Sequence, residues 1–189
     1  MIALDVFNRM MEAGSIGKYA INGVERVWKR IDSTKRLVQI LISLPVALAT
    51  AEAGVERVSS LLEEAGYKQR VEDDIEIEGW EIGVLVAVDD LGMEALDRAI
   101  VRQIPILNSS GSVRGRILRN EYRAALALKA GGKCEYSFVA MLIEDEDVDV
   151  HALNKLITRH ELHEAWRRFQ KDERWAADIF KSSISCAML

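Results

Sequence analysis

Proline is scarce in this sequence, 2 in 189 residues, and no Ser- or Gly-rich run replaces it as a linker. A string of flexibly tethered modules is therefore excluded, and one core with a small annex is expected. Cysteine is equally rare. Cys134 and Cys186 form neither a CxxC pair nor a disulfide framework, so a disulfide-stapled secreted scaffold is excluded and a reducing cytoplasm fits. The first residues show no basic segment followed by an apolar one, so no leader is expected. No apolar run reaches the ~20 residues that span a bilayer. The longest, residues 37–51, is broken by Gln39, Ser43 and Pro45. A net charge of -5 sets up no global attraction to nucleic acid or an anionic membrane.

Hydrophobic residues at 49% beside 29% charged residues indicate a folded chain rather than a disordered one. Leu4, Phe7 and Met11, with Met10 beside them, share one helical face between Asp5 and Gly14. Residues 19–22 read as a short strand, and Asn22-Gly23 suits a turn because both accept positive φ cheaply. Val24, Val27, Trp28 and Ile31 then predict a helix. Residues 37–44 are too uniformly apolar for a half-exposed strand and belong at the sheet centre. Val55, Val58, Leu61, Leu62 and Ala65 predict another helix, stopped by Gly66.

The clearest β pattern alternates over residues 74–78, turns at Gly79-Trp80 and returns over 81–88. Asp89-Asp90 introduces a helix with Ala95, Leu96, Ala99 and Ile100 inward. Residues 102–107 and 112–118 read as a final edge hairpin. Everything afterwards is helical: one helix capped by Asn120 and ending at Gly131-Gly132, a second over 134–144, an acidic connector, then two or three more. The expected fold is α/β (α+β), a small mixed sheet of about five strands flanked by helices over residues 1–118. A helical annex at 119–181 and a loose tail at 182–189 follow it.

That order resembles the minimal nucleotidyltransferase fold, in the branch containing abortive-infection toxin nucleotidyltransferases. The resemblance is carried by the opening helix, Tyr19-Ala20-Ile21-Asn22-Gly23, Ile40-Leu41-Ile42-Ser43-Leu44-Pro45 and Glu63-Glu64-Ala65-Gly66-Tyr67. Ile77-Glu78-Gly79-Trp80, the helix over 119–129, and Arg159-His160 through Trp166 continue it. It implies a Gly-Gly or Gly-Ser pair where Asn22-Gly23 stands, an Asp-x-Asp pair on the next strand and a third Asp beyond. Such acids seat two divalent metals roughly 4 Å apart. Alternate strand residues share a face, which aims both carboxylates at one cluster.

The matching positions here are Leu37, Gln39 and Gly83. The resemblance therefore implies a retained fold without catalytic residues, metal or cofactor. Asn22, Gly23, Leu37, Gln39 and Gly83 would line a vestigial nucleotide pocket, and the protein would act by binding a protein partner, a second copy, or nucleotide or RNA without chemistry. An alternative is an active transferase whose acids have moved to Asp32, Glu78 or Glu81. A third is an antitoxin-like regulatory subunit acting through its annex, with Trp166 and Trp175 as anchors.

Other clusters have two readings each. Glu72-Asp73-Asp74 with Glu76 and Glu78 is a displaced metal site or a solvated edge hairpin. Residues 144–149 lack the glycine of a calcium loop and read as an acidic connector. His160 and His163, with His151, could ligate a metal, but the pair is one residue short of the zinc-protease spacing. Arg114, Arg116, Arg119 and Arg123, with Lys129 and Lys133, form the densest basic patch, suited to gripping phosphate or to balancing acids. Gly14-Ser15-Ile16-Gly17 is too short for a phosphate loop and precedes no suitable helix.

Overall fold

A computed structural model describes residues 2–23, 37–45, 51–64, 75–77, 80–105, 112–144 and 147–179. They belong to two compact units, Met1–Leu118 and Arg119–Leu189. Several expectations fall outside the described residues: the helix of Val24 to Ile31, the Gly66 stop, Glu72-Asp73-Asp74, Glu78-Gly79, the turn at 108–111, and the tail.

The first unit runs α1 (Ile2–Glu12), β1 (Tyr19–Ile21), β2 (Leu37–Ile42), α2 (Ala51–Glu64), β3 (Ile75–Ile77), β4 (Trp80–Val86), α3 (Asp90–Asp97), β5 (Ile100–Pro105) and β6 (Ser112–Ile117). Among the described residues the strands make one six-stranded sheet, ordered β3-β4-β2-β1-β6-β5. β1 is antiparallel to β2 and parallel to β6, while β2 is parallel to β4, so the sheet is mixed. The apolar run of β2 explains its interior place. Val38, Ile40 and Ile42 join Leu4, Phe7 and Met10 of α1 and Val58 and Leu62 of α2 in one core. The intervening Leu41 is also buried, and α3 packs against β2 with Leu91, Ala95 and Leu96 buried. Alternating strand side chains give β2 two covered faces.

α3 starts as its sequence predicts, Asp89 accepting from the Gly92 N–H at 2.8 Å. It ends earlier than expected. Arg98 closes it, and Ile100 opens β5 instead of completing the helix's inner face. The segment after α1 has a structural use: the Gly17 N–H donates to the Ser43 carbonyl at 2.8 Å, and the Ser43 N–H donates to the Lys18 carbonyl at 2.8 Å. A Cβ on Gly17 would lie 2.5 Å from Ser43 Oγ, so only glycine fits this approach.

The second unit comprises α4 (Asn120–Ala130), α5 (Lys133–Glu144), α6 (Val150–Arg159) and α7 (His163–Ile179). Leu128, Val139, Leu142, Leu153, Leu156, Ile157 and Phe169 are buried within it. Gly131 at φ 68 ends α4, and Asp149 caps α6 by accepting from the His151 and Ala152 N–H groups. Asn120 is not the cap expected of it. Arg119 occupies that place, and its side chain does not cap the helix. Asn120 instead donates to the Asp147 carbonyl at 3.0 Å and accepts from Arg123 at 2.7 Å. A tertiary partner outcompetes the local cap.

Candidate functional site

Three adjacent strands hold Asn22, Gln39 and Gly83, the residues expected from the resemblance to line a pocket. Gln39 pairs in register with Gly83 of β4, and Asn22, just past β1, sits beside Gln39. The Asn22 N–H donates to the Gln39 carbonyl at 2.8 Å, and Asn22 Nδ2 donates to Gln39 Oε1 at 3.3 Å. All three residues are half-buried, as is Gly23 next to them. Leu37 is placed by backbone register alone, opposite Glu81, which in turn pairs with Glu76 of β3. Asp32 and Glu78 lie outside the described residues. Among the described residues no three His, Cys, Asp or Glu side chains converge as a metal-binding group.

The histidines are separated by chain architecture. His160 closes α6, Glu161 follows at φ 55, and His163 opens α7. His151 stands exposed in the first turn of α6. They share no helical face of the kind the zinc-protease pattern needs.

The basic residues have unlike environments. Arg123 lies inside the helical unit, 6% exposed. Its guanidinium bonds Asn120 and stands 5.0 Å from the Phe138 ring centroid. Burial lowers its pKa to about 10, with Asp147 acting in the opposite direction. Arg123 is thus an interior residue rather than part of a surface patch. Arg119 is exposed beside α4 in the same unit.

Arg114 and Arg116 belong to β6 in the first unit, where they line a cleft of about 610 Å³ with Asp5, Asn8, Arg9, Met11 and Glu12 of α1, Val101 of β5 and Gly115. Missing from any reading of the sequence is α1's share of this cleft. Asp5, Asn8, Arg9 and Glu12 recur at i, i+3, i+4 and i+7, which by pattern is simply a polar helical face. Asn8 anchors the wall, accepting from the Tyr19 hydroxyl at 2.6 Å and donating to the Arg114 carbonyl at 3.3 Å. Burial pushes the Tyr19 phenol up to about 12, with Arg116 pulling the other way.

No protein-family model matches this chain, and no curated protein matches it. No helix of the described residues is long and apolar enough to cross a membrane.

Proposed function

We propose that the protein is a nucleotidyltransferase-like chain that acts by binding rather than by two-metal catalysis. Asn22 and Gln39 carry this reading. At a position the resemblance assigns to a metal-holding carboxylate, the side chain is a neutral carboxamide whose oxygen accepts from Asn22. Mg²⁺ surrenders its hydration reluctantly and is held through carboxylates and substrate phosphates. An amide bonded to its neighbour offers little in exchange. Gly83, in register with Gln39, adds no side chain.

Calorimetric titration of the whole chain with each nucleoside triphosphate, with and without Mg²⁺, tests this. The expected result is binding that is either absent or indifferent to the metal. Affinity that requires Mg²⁺ would overturn it. A second reading, an active transferase with relocated acids, draws on the backbone register that sets Glu81 opposite Leu37, the position the resemblance gives to the first metal-holding acid. Under that reading Glu81→Gln abolishes Mg²⁺-dependent binding that the native chain shows.

A further inference from the structure

The outermost strands of the sheet are β3 and β5, and among the described residues neither has a partner on its outer side. Strand alternation decides which residues each edge presents on which face. A Cβ on Gly115 would stand 3.1 Å from Leu4 Cδ1 of α1, so Gly115 faces that helix and its neighbours Arg114 and Arg116 take the opposite face. Arg116 accordingly donates from Nη2 to the Leu96 carbonyl of α3 at 2.9 Å. In register with these arginines stand Val101 and Gln103 of β5. Val101 is 45% exposed, and Gln103 and Arg114 are exposed as well. At this edge the α3-side face is therefore an open basic strip, and β5 carries a further arginine, Arg102. The β3 edge has the other sign. Ile75 pairs with Ile82 of the core that α1 and α2 cover, so Glu76, paired with Glu81, has its position on the α3-side face. In sequence the same alternation continues as Asp74-Ile75-Glu76-Ile77-Glu78.

Strand direction fits the two edges together. β5 runs antiparallel to β6, β6 parallel to β1, and β1 antiparallel to β2. β2 runs parallel to β4, and β4 antiparallel to β3. β3 and β5 thus point in opposite directions. A second copy that continues the sheet brings its β3 against β5 as an antiparallel pair, with the α3-side faces aligned and Glu76 on the face of the arginines. We propose that the protein associates head to tail, β3 of one copy adding to β5 of the next. The unpaired edge backbone supplies the hydrogen bonds. Charge supplies the selection, because two β5 edges or two β3 edges juxtapose like charges whereas β3 on β5 joins opposite ones. Arg114 would stand ~10 Å from the added strand, two strand spacings, close enough to attract its acids at low salt. The contact is heterologous and sheets twist, so repetition gives an open helical assembly rather than a closed dimer. The three residues of β3, and Pro105 at the end of β5, keep the ladder short and the contact weak. Neither edge strand carries Asn22, Gln39 or Gly83, so this association and the nucleotidyltransferase-like reading can fail separately.

Sedimentation velocity of the full chain over a concentration series tests it. Association is expected with Kd of roughly 10 μM to 1 mM, growing past the dimer as concentration rises. It should weaken about tenfold or more between ~50 mM and ~500 mM NaCl. Glu76→Lys reverses the acidic edge and Arg114→Glu the basic one, and each variant alone should stay monomeric over the same range. An equimolar mixture of the two should form a dimer and stop there, because the first variant keeps its β5 edge and the second its β3 edge. The gentler changes Glu76→Gln and Arg114→Gln should each weaken association about threefold or more while leaving the thermal midpoint near that of the native chain. A native chain that is monomeric throughout would overturn the proposal. So would a closed dimer that either charge reversal leaves intact, or a mixture of the two reversals that remains monomeric.

Discussion

Asn22 and Gln39 are joined twice, once through the backbone at 2.8 Å and once through their side-chain amides at 3.3 Å. The double link fixes the end of β1 against the middle of β2. Gln39→Ala should destabilise the fold by about 1 kcal/mol, the usual net value of one hydrogen bond. With Asn22→Ala, a double-mutant cycle in urea should return a coupling of about 0.5–1.5 kcal/mol. Strict additivity would mean that the side-chain link contributes nothing.

Gly17 and Ser43 offer a test of packing. The Ser43 hydroxyl accepts from the Lys18 N–H at 2.7 Å, in the space a Gly17 side chain would need. Gly17→Ala should cost about 1–3 kcal/mol through overpacking. Adding Ser43→Ala removes the obstructing oxygen, so the double variant should lose less than the two single losses together. Chemical denaturation of the four proteins decides it.

Tyr19 gives a pH dependence with a definite sign. Its folded pKa, about 12, lies above the ordinary phenol value near 10. Below about pH 10 the phenol is protonated in both states, and its full contribution is present. As pH rises from about 10 to about 12 the unfolded chain ionises first, so stability falls by on the order of 2–3 kcal/mol. Arg123, whose pKa burial lowers, has the opposite slope at alkaline pH. The difference between native chain and Tyr19→Phe cancels that term. The native protein should lose stability faster across this window, and parallel curves would contradict the assignment.

Arg123 is buried yet partnered, by Asn120 and the Phe138 ring. Arg123→Ala should destabilise by about 2–4 kcal/mol, through lost packing and an unsatisfied Asn120 acceptor. Arg123→Met keeps most of the volume without the cost of burying a charge, and should recover much of the loss. Thermal midpoints of the two variants measure this.

The sheet was largely legible in the sequence because burial leaves a pattern. The apolar run of β2, interrupted only by Gln39, announced a strand covered on both faces, and Asp89 announced the start of α3 through a purely local bond. Tertiary competition was not legible. Nothing near Asn120 reveals that the Asp147 carbonyl will engage its side chain, nor does Gly17 reveal that Ser43 will press against it. The candidate sites divide in the same way. The two strands that carry Gln39 and Gly83 could be read, but their register could not, because a uniformly apolar β2 has no alternation to fix it. The cleft was hidden, because Asp5, Asn8, Arg9 and Glu12 have the spacing of any solvated helix face until β6 stands opposite them.

The central claim is that no two-metal transfer chemistry operates beside Asn22 and Gln39. Its most direct test is incubation of the intact protein with each nucleoside triphosphate and Mg²⁺ or Mn²⁺, following pyrophosphate release and label transfer to protein or RNA. The account predicts no release or transfer above a protein-free control for any nucleotide. Metal-dependent release that scales with protein and disappears in Glu81→Gln would contradict it.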